Sequence, residues 1–279
     1  MPLDHRSIDL THAPPALRAE GDPIAEQGAT AETGCYAFCV APLEVLTKLT
    51  GELDYVVAAD LGAVIGSHPG PLQTEKALHA WVQHHAAIVQ RVWEISSDVI
   101  PLQFGTIFKG ETEAAAHSLV RRWLDLERER LADIMARIHG CEEYGVAVSY
   151  DQPELIARLA DEVPELAEVN AKIGEATAGQ SYLLRIRLHD LLARHLENYA
   201  AKTYRWMFER ISGVTRGVCV DRLQRHEQPT TDIALLKLSC LVACSQTVEF
   251  FRILTEDVER ASGSKICVTG PWPPYSFVS

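Results

Sequence analysis

The chain has 279 residues, 47% of them hydrophobic and 23% charged, enough apolar material for a sizeable core in one or two domains. Its formal net charge of -12, from 38 acidic and 26 basic side chains, argues against a dedicated nucleic-acid binder and against adhesion to an anionic membrane. No stretch reaches the roughly 18 uninterrupted apolar residues of a membrane helix, and Asp4, Arg6, Asp9, Arg18, Glu20 and Asp22 deny the first residues the apolar heart of a signal peptide, so a cytosolic location is expected.

Residues 1–33 read as a loosely ordered tail, with Pro14-Pro15, Gly21, Pro23 and Gly28 among scattered charges. An N-terminal α+β domain is expected over 34–140. Cys35–Val40 is β-rich and stops before Pro42, which predicts a strand, with a short helix over about 42–49. Leu53–Ala59 and Gly62–Ile65 predict a hairpin. Over 74–96, Leu78, Trp81, Val82, His85, Ile88, Val89, Val92 and Ile95 recur every three or four residues, which predicts an amphipathic helix. Val99–Phe108 reads as a strand whose Pro101 suits an edge or a bulge. One long helix is expected over 112–138, with Leu119, Trp123, Leu126, Leu131, Ile134 and Ile138 inward and Gly140 as its stop.

A second domain is expected over 141–269. Glu142–Tyr150 predicts a strand with Tyr144, Val146 and Val148 on one face. Helical patterns follow over 153–178, broken by Pro164 and Gly174, and over 181–212. Val214–Leu223 is expected as a strand, 226–232 as a polar connector, Ile233–Ala243 as a strand, Ser245–Ser262 as a helix capped by Ser245, and Lys265–Thr269 as a closing strand. That order is the βαββαβ pattern of ferredoxin-like folds, an antiparallel sheet with packed helices, and the first half repeats a similar order. The expected fold class is therefore α+β in two domains, at least the second ferredoxin-like.

Catalytic signatures are absent: there is no GxGxxG, GxxxxGK[ST], HExxH or GxSxG. His84-His85 lie in a helix with Ile88 at i+4 of His84, so one faces in and one out, without metal-ligand spacing. His189 and His195 share no helical face. Glu142-Glu143 and Asp161-Glu162 read as solvated carboxylates. Seven cysteines without a CxxC pair read as small hydrophobes. No cofactor and no metal are expected.

Two segments stand above this background. Ile100-Pro101-Leu102-Gln103-Phe104-Gly105-Thr106-Ile107-Phe108 is one. Gly270-Pro271-Trp272-Pro273-Pro274-Tyr275-Ser276-Phe277-Val278 is the other, and its prolines stiffen residues 270–279 into an extended or polyproline II tail showing Trp272, Tyr275 and Phe277. Such a tail either packs on its own domain or docks a partner. These residues, with Tyr36-Ala37-Phe38 and Ala63-Val64-Ile65, resemble the gas-vesicle proteins L and F over about residues 34–279. The family often carries Arg at Gln103, which cannot offer a bidentate fork.

The resemblance implies a non-enzymatic assembly factor or minor shell component, associated with gas vesicles in the cytoplasm. It implies binding to the hydrophobic major shell protein and to other gas-vesicle accessory proteins, but not to nucleic acid or membrane. The motif residues Pro101, Gln103, Phe104, Gly105, Gly270, Pro271, Trp272, Pro273, Pro274, Tyr275 and Phe277 are the expected partner-binding or structural site. The alternative is a small-molecule- or nucleotide-dependent enzyme on a ferredoxin-like fold, which fold alone does not exclude.

Overall fold

A computed structural model describes residues 33–68, 70, 74–221, 232–260 and 264–278. The chain divides into two units: residues 1–143 with 271–279, and residues 144–270.

Unit 1 begins with β1 (Thr33–Pro42), a strand buried almost throughout. It continues through the single-turn α1 (Leu43–Leu46), a 3-10 turn at Thr47–Leu49, and the hairpin β2 (Asp54–Ala58) and β3 (Leu61–Ser67). The amphipathic period of the next segment yields α2 (Glu75–Trp93), whose first turn is capped by the Thr74 hydroxyl accepting from the Ala77 N–H. Two short strands follow, β4 (Ile100–Pro101) and β5 (Ile107–Gly110), and both pair antiparallel with β1 on one edge. The sheet order is β2-β3-β1-β4, with β5 also on β1. Counting β4 and β5 as one interrupted strand gives the order 2-3-1-4 of a βαββαβ unit.

One face of this sheet is covered by α1 and α2: Tyr36, Phe38, Cys39 and Ala41 cluster with Val45, Leu46, Val89 and Val92. Cys35, Ala37 and Val40 are buried as well. The helix α3 (Glu113–Leu126) packs against β1, β2, β3 and β5.

The single helix expected over 112–138 is two, α3 and α4 (Arg128–Ile138), with Glu127 at the break. The break shifts the helical phase. The inward face of α3 is Ala116, Val120 and Leu124, while Leu119 and Leu126, expected inside, are exposed, Leu126 by 73%. The α4 side chains Leu131, Ile134 and Ile138 are buried as the pattern predicts. Gly140 takes φ +63 just after α4, the left-handed position that ends helices.

Unit 2 holds most of β6 (Cys141–Asp151), then α5 (Gln152–Glu162), α6 (Pro164–Glu175), α7 (Ala178–Ile211), β7 (Gly217–Val220), β8 (Asp232–Ala243), α8 (Thr247–Arg260) and β9 (Ser264–Trp272). Its sheet order is β7-β8-β6-β9, again 2-3-1-4. The inward face of β6 is Tyr144, Val146, Val148 and Tyr150, packed with Leu155, Leu159, Leu191, Met207, Ile211, Phe250 and Leu254. The sequence thus folds as α+β with antiparallel sheets, and both halves share one strand order.

Pro164 starts α6 at its first turn, where its missing N–H costs nothing. Ser245 falls in a 3-10 turn, Cys244–Gln246, before α8 rather than at its cap. The expected connector 226–232 lies outside the described residues except for Asp232, which opens β8.

Candidate interaction site

Both motifs come together in unit 1. The first is the interruption between β4 and β5. On β1, the pairing with β3 shifts register between Ala37 and Cys39, so Phe38 is the extra residue of a bulge. Opposite that bulge the edge strand leaves the sheet. Leu102 N–H donates to the Phe38 carbonyl at 2.9 Å, and Ala37 N–H donates to the Thr106 carbonyl at 2.9 Å.

Between these two anchors, Gln103–Thr106 forms a tight turn. Thr106 N–H and its hydroxyl both donate to the Gln103 carbonyl, at 3.1 and 2.6 Å. Gly105 sits at φ +86, the value that the third residue of a type II turn demands and that glycine adopts without strain. The motif residues are therefore explained one by one. Pro101, with no N–H, sits buried in the edge strand opposite Cys39. Phe104 points its ring at Tyr36, with centroids 6.2 Å apart. Gln103 is exposed, so an Arg there would meet solvent rather than the core.

Tyr36 is the hub. Its hydroxyl accepts from Gly105 N–H at 3.0 Å and lies 2.9 Å from His85 Nδ1. Gly105 N–H occupies one lone pair of the hydroxyl; the direction of the Tyr36–His85 bond follows the imidazole tautomer, with Nδ1 accepting when the ring proton is on Nε2. Burial keeps the ring neutral, holding the His85 pKa down at about 4; the Leu102 backbone opposes this, and His84 adds to it. The Nε2 atom is buried without a partner that meets hydrogen-bond geometry. Trp81 lies edge-on to Tyr36 with centroids 5.5 Å apart.

The second motif closes on the same cluster. The chain leaves unit 2 at Gly270, φ +117, another glycine-favouring conformation. Trp272 ends β9, Pro273 and Pro274 are buried, and Tyr275–Phe277 is a 3-10 turn. The tail is thus not extended throughout. Tyr275 packs against the Tyr36–Phe38–Cys39 cluster. Its phenol is pushed well above the usual range, first by burial and then by Cys39, Glu143 and Tyr36 nearby. Phe277 is buried, and its carbonyl accepts from Arg137 Nη2 at 2.5 Å.

The group that anchors the tail is one the sequence reading set aside. Glu143, expected on a solvated face, is 1% exposed. Its two oxygens accept from the Ser276 N–H at 2.8 Å and the Ser276 hydroxyl at 2.7 Å. No signal in the sequence marked it: alternation puts Glu143 on the face of β6 opposite Tyr144, Val146 and Val148, where a carboxylate is ordinarily solvated.

Among the described residues, no group of three or more His, Cys, Asp or Glu side chains gathers to hold a metal ion, and no helix is long and apolar enough to cross a membrane. Of the seven cysteines, Cys35, Cys39, Cys141 and Cys240 are buried.

Residues 34–279 match the family model described as gas vesicle synthesis protein GvpL/GvpF. The chain belongs to this family. It is similar to gas vesicle protein L1 of Halobacterium salinarum, 25% identical over 279 residues that cover 92% of this chain and 95% of the relative. It is also 25% identical over 230 residues to gas vesicle protein L of Haloferax mediterranei, covering 80% and 70%. The crystal structure of GvpF from Anabaena sp. PCC7120 superposes with a TM-score of 0.68 at 14% identity, covering 88% of this chain and 98% of that one. GvpF from Microcystis aeruginosa gives 0.59 at 13% identity, covering 88% and 99%. These structural likenesses support the α+β fold, and membership places the chain among gas-vesicle proteins.

Proposed function

We propose that this chain is a binding protein of gas-vesicle assembly that engages the hydrophobic major shell protein, as an assembly factor or a minor shell component, with no catalytic step of its own. In this reading the two motifs have a structural role. Pro101, Phe104 and Gly105 shape the interrupted edge, Tyr275 packs on the Tyr36 cluster and Phe277 is buried, so these two tail aromatics are largely spent inside unit 1. Gln103 and Pro271 stay at the surface.

The observation that carries the reading lies on α7. Tyr182, Leu183 and Ile186 are 66%, 66% and 44% exposed. Spacings of three and four put them on one side of the helix. Three large apolar side chains grouped on one helix, with polar Arg185 and Arg187 interleaved, are the composition of a partner-binding surface.

The test is capture of the purified major shell protein by the full chain and by Y182S/L183S/I186S. These side chains are solvent-exposed, so the variant keeps its melting temperature within a few degrees. Loss of capture is the expected result. Capture equal to that of the parent would overturn the assignment of this surface, and failure of the parent itself to capture would overturn the partner.

A further inference from the structure

Unit 2 contains a half-open groove of about 470 Å³ whose lining is unlike the rest of this acidic protein. One wall is the end of α5, with Leu159, Glu162 and Val163. The other is a single face of α7, where His195, Asn198, Tyr199, Ala201, Lys202 and Arg205 line the space.

The charges do not cancel. Glu162 is engaged by Arg158, whose Nε lies 3.9 Å from Oε1. Arg158 is in turn held over the Tyr199 ring, 5.2 Å from its centroid, and bonds the Tyr199 hydroxyl. Lys202 and Arg205 have no acidic partner among the described residues. Arg194, one helical turn before Asn198, is exposed and likewise unpaired. In a chain of net charge -12, this is a locally cationic wall facing the apolar Leu159 and Val163 of the other.

We infer that this groove takes an acidic peptide segment of a partner protein. The size of the wall supports a peptide over a small anion. His195 to Arg205 runs ten residues along the helix, about 15 Å at 1.5 Å per residue. That is the length of four or five residues of extended chain. Lys202 and Arg205 would take carboxylates, and Leu159 and Val163 would take an apolar side chain between them. Charge pairing of this kind steers encounter and weakens with salt. The site is separate from the exposed apolar face of α7, and its failure leaves the reading of shell-protein binding untouched.

The experiment is fluorescence anisotropy of a labelled Glu-Glu-Leu-Glu-Glu peptide titrated with the full chain. Saturable binding is expected, weakened at least about tenfold in K202E/R205E and by raising salt from about 50 to 500 mM. Both side chains are exposed and unpaired, so the double variant keeps its fold; an unchanged melting temperature checks this. Equal binding of a Lys-Lys-Leu-Lys-Lys peptide, or unchanged affinity in K202E/R205E, would overturn the proposal. Complete displacement by 10 mM phosphate or acetate would also overturn it, assigning the groove to a small anion. Dimerisation of the peptide-free chain that K202E/R205E abolishes would give the groove to a second copy and overturn it too.

Discussion

Glu143 and Ser276, 133 residues apart in the chain, are joined by two hydrogen bonds, one to each carboxylate oxygen. Both donors belong to one residue, so the carboxylate grips the tail at a single point. A buried carboxylate is costly unless its lone pairs are met, and Ser276 meets one on each oxygen.

Glu143→Gln should therefore loosen the tail. The amide NH2 would turn a donor toward one of the two Ser276 donors. A hydrogen bond to a charged group contributes about 1.5–3 kcal/mol, so a loss of about 2 kcal/mol is expected. Urea unfolding gives the stability, and carboxypeptidase digestion reports release of residues 271–279. A variant with unchanged midpoint and unchanged digestion would show that the apolar contacts of Tyr275 and Phe277 and the Arg137 bond to the Phe277 carbonyl hold the tail without Glu143.

The His85 pKa gives a pH dependence with a definite sign. Its folded value of about 4 lies below the unfolded value of 6.5. The unfolded chain therefore binds more protons between those values, and stability falls as pH drops. The contribution is whole above pH 6.5 and lost by pH 4. A shift of this size corresponds to about 3 kcal/mol. Asp221, held above its ordinary value chiefly by burial, acts in the opposite sense but is common to both proteins compared. Urea midpoints at pH 7, 5.5 and 4.5 should converge between parent and His85→Gln as pH falls. Parallel curves would exclude His85 as the source.

The order of elements was legible because each period is strong where one face is buried. Val146 and Val148 alternate, and His85, Val89 and Val92 recur at helical spacing. The split at Glu127 was not legible, since charged residues on both sides conceal a phase shift that only the buried Ala116–Val120–Leu124 face reveals. In the site, the edge position of Pro101 followed from proline chemistry, whereas the 3-10 turn of the tail did not. The meeting of the two motifs was not legible either. Tyr36 bonds His85 at a separation of 49 residues and Gly105 at 69, and neither partner carries a local signature. Glu143 was missed because adjacent glutamates ordinarily mark a solvated face, and only the tail's return makes burial tolerable.

Removing α3's hold on the sheet should be costly at Gly110. A Cβ there would lie 2.6 Å from the Ala116 nitrogen and 3.0 Å from both the Ala115 carbonyl carbon and the Thr112 oxygen. These are backbone atoms of the first turn of α3, which cannot swing aside as a side chain would. Gly110→Ala should cost about 1–3 kcal/mol, the range of overpacking, read by thermal denaturation. A neutral result would mean that the start of α3 can shift freely.

The turn at Gly105 and the Tyr36 hydroxyl should prove energetically coupled. Gly105→Ala forces a side chain into φ +86, at a cost of about 1–2 kcal/mol. Tyr36→Phe removes the acceptor of Gly105 N–H and the hydrogen-bond partner of buried His85 Nδ1, at about 1–3 kcal/mol. If the strained turn is held in place by that hydrogen bond, the double variant loses less than the sum of the single variants, because the bond can be lost only once. A coupling of about 0.5 kcal/mol or more is the expected outcome of the double-mutant cycle. Strict additivity would mean that Gln103–Thr106 keeps its shape without Tyr36, through the two bonds from Thr106 to the Gln103 carbonyl alone.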